Sequence, residues 1–276
     1  MAKKLPISPE FVKKESVRRD TKRNMRLGAQ FFSIRHKTRT PEEFAESFRR
    51  IADIGYGIVQ ISGVGASVTP EMIREASQAY GLPVTCTHTA LSRIIEDTAR
   101  VIEEHKLFGA QTVGLGQIGQ EYLSEEGFAS LREKLREPIA MIRDAGLSFA
   151  YHNHAFEFEV MHGTRCLYDV MIEDWQEVDF IPDVYWIAFG GGDPVEYVHR
   201  IGGNRIKNIH YKDLAKDDSR SICACGDGIL DFAAITQACR EEGIENVLVE
   251  QDNAPSFADA FAEMEKSYRH LKDLVF

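Results

Sequence analysis

Short runs of β-branched and aromatic residues recur along the chain and are typical of strands. Polar or amphipathic stretches separate each run from the next. These runs lie at residues 27–34, 57–61, 83–87, 112–115, 148–151, 178–182, 206–209 and 246–249. The pattern therefore predicts eight strands.

Amphipathic segments between these runs predict helices, several of which begin after a Thr, Ser or Asp suited to cap them. They lie at residues 41–54, 69–80, 91–108, 124–145, 231–242 and 256–274. A glycine, which readily adopts positive φ, follows five of them and is expected to end the last helical turn. These glycines are Gly55, Gly81, Gly109, Gly146 and Gly243.

Strand and helix units that alternate eight times over about 250 residues predict an α/β fold, a closed (β/α)8 TIM barrel. An open doubly wound sheet has the same alternation and is the alternative. The segment Arg35-His36-Lys37-Thr38 after the first run contains no glycine-rich phosphate turn, which favours the barrel. In a barrel, active-site groups come from the carboxyl ends of the strands.

The composition is that of a globular protein, with 43% hydrophobic and 28% charged residues among 276. We expect one catalytic barrel domain over residues 27–276, preceded by a basic arm over residues 1–26. The arm holds nine Lys or Arg and three acidic residues, so the remainder carries 24 basic and 40 acidic residues. An acidic body is a poor surface for nucleic acid, and the arm is expected to be a solvated tail or a packing arm between subunits.

Neither an export signal nor a membrane-spanning segment is predicted, because the chain has no apolar run of the required length. The odd number of cysteines, five, does not form a disulfide framework and fits a reducing compartment. We therefore expect a cytoplasmic protein.

Four side chains that bind metals well lie at or just after the ends of separate predicted strands: His152, Asp183, His210 and Glu250. If the strands are parallel neighbours, these side chains meet at one edge of the sheet. Two imidazoles and two carboxylates suit one divalent ion per chain, Mn²⁺ first, with Co²⁺, Zn²⁺ and Mg²⁺ as alternatives. Such an ion holds a hydroxyketone by adjacent oxygens and acidifies the neighbouring C–H bond.

Other polar side chains near these strand ends are candidates for proton transfer and substrate binding. Glu250 or His154 is a candidate base, and Glu157 is a further catalytic candidate within the same cluster. Alternatives remain open for several of them, since His88 and Arg35 are equally compatible with structural roles and the turn Gly226-Asp227-Gly228 either is a simple turn or closes over the ligand. The substrate-binding candidates are His88, Trp186, Lys212, Asp213 and Arg35.

From about Leu27 onward, the motifs together resemble the sugar phosphate isomerase/epimerase superfamily of xylose isomerase-like barrels. The most specific is Tyr-His-Asn-His-x-Phe-Glu-Phe at residues 151–158. The resemblance implies a barrel, a divalent metal, proton transfer beside a sugar carbonyl, and homo-oligomers. Further motifs lie at residues 30–35, 54–56, 183–186, 191–194, 210–213, 226–231 and 249–252.

One position departs from the ligand set Glu, Asp, His and Glu of the epimerases. Asp183, His210 and Glu250 resemble the last three, whereas His152 stands in place of the first glutamate. Either His152 ligates the metal or Glu157 reaches back to it. Loss of one acid/base glutamate weakens the case for simple epimerisation and favours considering elimination.

We expect a metal-dependent sugar isomerase or epimerase of carbohydrate metabolism that abstracts a proton α to the carbonyl of a keto-sugar or keto-cyclitol. The alternatives are a lyase or dehydratase that performs β-elimination on a keto-sugar, keto-glycoside or inosose, and a non-catalytic sugar-binding barrel. A nuclease is disfavoured by the acidic body and the few candidate ligands.

Overall fold

The computed structural model describes residues 25–276, in which eight parallel strands form a barrel. The strands are β1 (Arg26–Gln30), β2 (Ile58–Ile61), β3 (Val84–His88), β4 (Thr112–Leu115), β5 (Ser148–His152), β6 (Asp179–Ile181), β7 (Ile209–Tyr211) and β8 (Asn246–Val249). Each strand pairs with its neighbour in the order β6-β5-β4-β3-β2-β1-β8-β7, and the parallel bridges Phe180–Ile206 and Asp183–His210 link the β6 end of the sheet to the β7 end. The predicted (β/α)8 barrel is confirmed.

Helices surround the barrel, and most begin where a side chain caps the first turn. The helices are α1 (Pro41–Ile54), α2 (Pro70–Tyr80), α3 (Leu91–Glu96), α4 (Thr98–Phe108), α5 (Glu125–Asp144), α6 (Phe156–Glu159), α7 (Leu167–Asp174), α8 (Val184–Phe189), α9 (Pro194–Ile201), α10 (Phe232–Glu241) and α11 (Ala260–Val275). Thr40 forms a capping box with Glu43 at α1, and Thr69, Ser124 and Asp231 cap α2, α5 and α10.

The glycines expected to end helices do so. Gly55 has φ of 114° after α1 and Gly109 has φ of 82° after α4, and the other three of the set also have positive φ. These turns return the chain to the amino end of the next strand.

The first strand is shorter than predicted. It ends at Gln30, whose side-chain oxygen accepts a hydrogen bond from the Phe32 amide at 2.8 Å, and residues Phe31–Lys37 form a 3₁₀ helix. The prediction of a strand over residues 27–34 was wrong in its second half, because a glutamine cap competes with continued extension.

Two predicted helices were also too long. The helix predicted over residues 91–108 is broken at Asp97, where φ is −141° and ψ is 45°. The last helix begins at Ala260, because the Asp259 carboxylate accepts a hydrogen bond from the Phe261 amide, and a 3₁₀ helix at Ala254–Ser256 precedes it.

The seventh strand lies later than predicted, at Ile209–Tyr211 instead of residues 206–209. Ile206 forms only an isolated bridge. Short antiparallel hairpins pair Met161–His162 with Arg165–Cys166 and Asp213–Leu214 with Ile222–Cys223. Both hairpins lie beyond carboxyl ends of strands, on the side where a barrel of this kind places its active site.

The interior of the barrel is packed with small and apolar side chains: Ile58, Cys86, Ala150, Ile181 and Leu248. At Gly28 an added Cβ would lie 2.5 Å from the Ile58 side chain, so the strands leave no room there for a larger residue. These packed side chains fill the barrel beneath the polar strand ends.

The basic arm predicted over residues 1–26 lies, up to residue 24, outside the described residues. Met25 is buried and Arg26 begins β1. Within residues 25–276, no helix combines the length and apolar character needed to cross a bilayer.

Candidate metal centre

Four side chains from neighbouring strand ends meet at the carboxyl side of the barrel. His152 ends β5, Asp183 follows β6, His210 lies in β7 and Glu250 follows β8. All four are at most 3% exposed, and one potential ligand atom from each lies within 4.8 Å of the others.

The two imidazoles are each held by one ring nitrogen. His152 Nδ1 lies 3.1 Å from the carbonyl oxygen of Gly116, and His210 Nε2 lies 2.7 Å from Gln60 Oε1. Since these partners accept hydrogen bonds, they place the proton on the outer nitrogen of each neutral ring. In the neutral form of each ring, His152 Nε2 and His210 Nδ1 therefore present lone pairs to the cluster.

The two carboxylates are held in the same way. Glu250 Oε1 accepts a hydrogen bond from Gln30 Nε2 at 2.9 Å, while Asp183 Oδ1 accepts from the backbone amides of Tyr185 and Trp186 at 3.0 and 3.1 Å. Each carboxylate keeps its second oxygen for the cluster. Outer partners of this kind orient metal ligands in proteins.

The inward atoms lie close together, and two of them are buried without a hydrogen bond. His210 Nδ1 is 3.0 Å from Glu250 Oε2, yet neither atom has a partner in hydrogen-bond geometry. His152 Nε2 lies 3.3 Å from Asp183 Oδ2. Two buried nitrogens and two buried oxygens that converge in this way fit a borderline divalent cation.

Lys212 adds a positive charge at this cluster. Its Nζ lies 3.0 Å from a carboxylate oxygen of each of Asp183, Glu250 and Asp252. Burial alone would lower the pKa of Lys212, but the three carboxylates raise it well above its usual value, so the side chain is an ammonium.

The pKa values of the carboxylates reflect both burial and the positive charge of Lys212. Burial raises the pKa of Glu250 and Asp183, but Lys212 and the neighbouring histidines lower both pKa values below the usual range. At Asp252 burial prevails and raises the pKa to about 6. Glu250 and Asp183 are therefore ionised at neutral pH, as metal ligands must be.

The histidines at the site differ in the direction of their pKa shifts. Burial lowers the pKa of His152, of His88 and of His154, the last to about 3. Opposing burial, Glu250 and Asp183 raise the pKa of His210. Three neutral imidazoles thus border the cluster, with lone pairs that can accept a proton or bind a cation.

A cavity of about 240 Å³ opens onto the cluster. His88 Nε2, His154 Nδ1 and Asp252 Oδ1 are buried without a hydrogen-bond partner, so they are available to a bound molecule. The structure therefore brings His88, His154 and Lys212 to the cavity together with two residues of the cluster, His152 and Glu250. The lining residues are Phe32, Ser62, His88, Gly116, Gln117, His152, His154, Lys212, Glu250 and Asp252.

Glu157 is buried and does not line this cavity. Its carboxylate accepts hydrogen bonds from the Tyr151 hydroxyl and from the His154 amide at 2.9 Å. Burial raises the pKa of Glu157 to about 8, although these hydrogen bonds oppose the shift. Glu157 thus secures the turn that carries His154.

Asp213 is likewise engaged by the backbone. Its carboxylate oxygens accept hydrogen bonds from four amides, those of Leu214, Gly226, Gly228 and Leu230. At Gly228 an added Cβ would lie 2.2 Å from Asp213 Oδ1, so the glycine permits this close approach. The segment Gly226-Asp227-Gly228 is a turn wrapped around Asp213.

Arg35 and Trp186 lie beside the cavity without lining it. Arg35 donates to the carbonyl oxygens of Phe32 and Asp252 at 2.7 and 3.0 Å. The Trp186 ring lies 5.3 Å from the His154 ring and 5.4 Å from Lys212 Nζ, and its indole nitrogen has no hydrogen-bond partner.

Gln30 and Gln60 were not among the candidate site residues, although Gln30 lies in the motif at residues 30–35. Both are buried in strands, at 0% exposure, and each orients one residue of the cluster. The available signal was a glutamine near the carboxyl end of an otherwise apolar run, as in Ile58-Val59-Gln60-Ile61. Such a side chain needs a buried partner.

The model of a family described as xylose isomerase-like TIM barrel matches residues 48–274. An inosose dehydratase of Clostridium perfringens is 24% identical over 214 residues, which cover 64% of this chain and 71% of that protein. Another inosose dehydratase, of Lacticaseibacillus casei, is 26% identical over 150 residues, which cover 47% of this chain and 48% of that protein.

Solved structures share the fold. A sugar phosphate isomerase/epimerase of Parabacteroides distasonis superposes with a TM-score of 0.76 at 20% identity, covering 98% of this chain and 100% of its own. A probable 3-DHS dehydratase of Bacillus anthracis has a TM-score of 0.70 at 15% identity, and the match covers 90% of this chain and 99% of that one. An L-ribulose 3-epimerase has a TM-score of 0.69 at 15% identity, and the match covers 91% of this chain and 94% of that one. Because these identities are low, the three structures show that the fold is shared and nothing more.

Proposed function

Since the chain belongs to the family of xylose isomerase-like TIM barrels, we propose that it is a divalent-metal-dependent enzyme acting on a keto-sugar or keto-cyclitol. The reaction begins with removal of a proton from the carbon next to the carbonyl. The relatives named inosose dehydratase support a cyclitol or sugar substrate. The five free thiols support a cytoplasmic location.

One observation carries the proposal: each residue of the cluster has one atom held by an outer partner and one atom facing the centre. His152, Asp183, His210 and Glu250 would hold the ion. Mn²⁺ is our first choice, with Co²⁺, Zn²⁺ and Mg²⁺ as alternatives. When bound, the ion polarises the substrate carbonyl and makes the adjacent C–H bond more acidic.

The chain's own groups would then move and stabilise charge. Glu250 is ionised and lines the cavity, so it is our candidate base, with the neutral His154 imidazole as the alternative. The Lys212 ammonium lines the same cavity and is suited to stabilise negative charge that develops on the carbonyl oxygen. Glu157 supports His154 without contacting substrate.

Return of the proton to carbon gives isomerisation or epimerisation, whereas loss of a neighbouring oxygen substituent gives β-elimination. Elimination is a specific second candidate, because His152 replaces one of the two carboxylates expected of an epimerase and the curated relatives are named dehydratases. Both outcomes share the proton abstraction.

The test is proton NMR in D₂O with metal-loaded protein and a panel of keto-sugars and keto-cyclitols, beside an EDTA-treated control. We expect metal-dependent deuterium incorporation next to the carbonyl, and the product, epimer or alkene, identifies the reaction. Tight sugar binding without exchange would instead support a non-catalytic binding barrel.

The base is assigned by Glu250→Gln and His154→Gln, with Glu159→Gln, an exposed glutamate, as the control. The variant that loses exchange but keeps its metal identifies the proton acceptor. Exchange that survives in Glu250→Gln would remove this residue from proton transfer.

A further inference from the structure

We infer that Asp252 is a specificity residue of this site: its Oδ1 atom accepts a hydrogen bond from a free hydroxyl group of the substrate. The same carboxylate disfavours a phosphate group in that place, so the substrate is unphosphorylated at the position that Asp252 contacts. This inference rests on the proposed function. It deepens that function by naming the residue that recognises the substrate and the kind of substituent that this residue accepts.

The two carboxylate oxygens of Asp252 have different surroundings. Asp252 lies just after β8 and lines the 240 Å³ cavity over the cluster. Its Oδ2 atom accepts a hydrogen bond from Lys212 Nζ at 3.0 Å, whereas its Oδ1 atom is buried and has no hydrogen-bond partner. A buried polar atom without a partner is costly, because it has lost its water and has no protein donor in exchange. A ligand that donates a hydrogen bond to Oδ1 removes that cost.

The backbone around Asp252 is held by partners from the segment that follows β1. The Gln251 amide donates a hydrogen bond to Ser33 Oγ at 2.9 Å. Arg35 donates to the carbonyl oxygen of Asp252 at 3.0 Å. These contacts and the hydrogen bond from Lys212 fix the carboxylate before a ligand arrives, and a group that is already ordered binds with a smaller loss of entropy.

Asp252 differs from the two other unpartnered polar atoms of the cavity lining, which belong to histidines. His88 Nε2 and His154 Nδ1 are imidazole nitrogens, and a neutral imidazole can either donate or accept a hydrogen bond at a given nitrogen. An ionised carboxylate can only accept. Oδ1 therefore requires a donor from the ligand, and the donors of a keto-sugar or keto-cyclitol are its hydroxyl groups.

The charges near Oδ1 disfavour a phosphate. Among the described residues that line the cavity, Lys212 is the one basic side chain other than histidine. Its Nζ already lies 3.0 Å from oxygens of three carboxylates, those of Asp183, Glu250 and Asp252. A phosphate beside Oδ1 would place like charges together, and such a contact is strongly unfavourable.

Asp252→Asn tests the role of the carboxylate with little change in volume. The Lys212 ammonium can only donate, so the amide oxygen of the variant should face Lys212 and the amide nitrogen should take the place of Oδ1. The substitution thus puts a donor where the wild type has an acceptor. Asp252→Ala removes the group altogether, and Asp218→Asn and Asp218→Ala, at an exposed position, are the matched controls.

The substrates are the keto-sugar or keto-cyclitol most active in the exchange panel and its monofluoro derivatives, in each of which fluorine replaces one hydroxyl group. Fluorine is of similar size but cannot donate a hydrogen bond. At one position, wild type and the Asp218 variants should prefer hydroxyl over fluorine by about tenfold or more in kcat/KM, and both Asp252 variants by about twofold or less. At hydroxyl groups bound elsewhere in the site, the preference should be the same in all proteins.

Thermal midpoint and bound metal are measured for every variant, and dissociation constants from calorimetry supply the same ratios for a variant that binds without turnover. Unchanged ratios at every position in the Asp252 variants would overturn the inference even if their activity falls, because a uniform loss indicates that Asp252 only positions Lys212. A wild type that prefers hydroxyl at no position would also overturn it. Both results leave the proposed function intact, whereas absence of exchange with every substrate would overturn both.

The phosphate monoester at the position so identified provides the second comparison. We expect wild type to use it with a kcat/KM lower than that of the parent substrate by about tenfold or more, and Asp252→Asn to narrow this difference. A phosphate ester used by wild type as well as the parent substrate would overturn the inference.

Discussion

Replacing Lys212 with methionine removes a positive charge from a buried group of carboxylates. Its Nζ lies 3.0 Å from Asp183, Glu250 and Asp252, and the first two of these are at most 3% exposed. Removal of one partner from a buried ion pair costs about 3–5 kcal/mol, because the remaining charge has neither water nor a counter-ion. For a chain of this size, that corresponds to a fall in Tm of roughly 10 °C.

The assay is thermal unfolding of Lys212→Met and wild type, first in EDTA and then with excess Mn²⁺. We expect the large loss in EDTA and substantial recovery with Mn²⁺, since a divalent cation bound by the same carboxylates replaces the missing charge. Lys266→Met is the matched control, because its ion pair with Asp227 is exposed and contributes less than about 1 kcal/mol. A Lys212→Met variant that unfolds like wild type in EDTA would refute this reasoning.

Three further predictions concern residues around the site. Burial raises the pKa of Glu157 from 4.5 to about 8, so the stability from its bound proton is present below pH 4.5 and is lost as the pH rises through 8. Between pH 5 and pH 8, the free energy of unfolding measured in urea should therefore fall less for Glu157→Gln than for wild type. Equal falls in the two proteins would contradict the raised pKa of Glu157. Asp213→Ala leaves four backbone amides without their acceptor, so we expect roughly 3 kcal/mol of destabilisation in urea, against almost none for the exposed Asp217→Ala. His152→Ala should lower bound Mn²⁺ per chain by mass spectrometry while the exposed His199→Ala retains it, and full occupancy in His152→Ala would assign the ligand role elsewhere.

The barrel was predictable because its signals are local and repeated. Short apolar runs, capped amphipathic helices and terminating glycines such as Gly55 recur with one rhythm, and the family match confirms the resemblance to xylose isomerase-like barrels. The proximity of His152, Asp183, His210 and Glu250 followed from the topology, since the carboxyl ends of parallel strands share one edge. Their role as metal ligands remains a prediction.

The remaining details depend on contacts between residues distant in the sequence. Gln30 both ends β1 and binds Glu250, 220 positions away, which no local pattern indicates. Asp213 has the sequence context of a substrate contact, but the backbone amides of a later turn occupy its carboxylate. The orientation of a polar side chain at a strand end is set by such partners.

Anomalous diffraction from Mn²⁺-loaded crystals, measured on both sides of the manganese edge, would locate the ion directly. We predict one strong peak per chain, bounded by His152 Nε2, Asp183 Oδ2, His210 Nδ1 and Glu250 Oε2. A well-ordered cluster without a peak, or a peak held by other residues, would contradict the proposed metal centre.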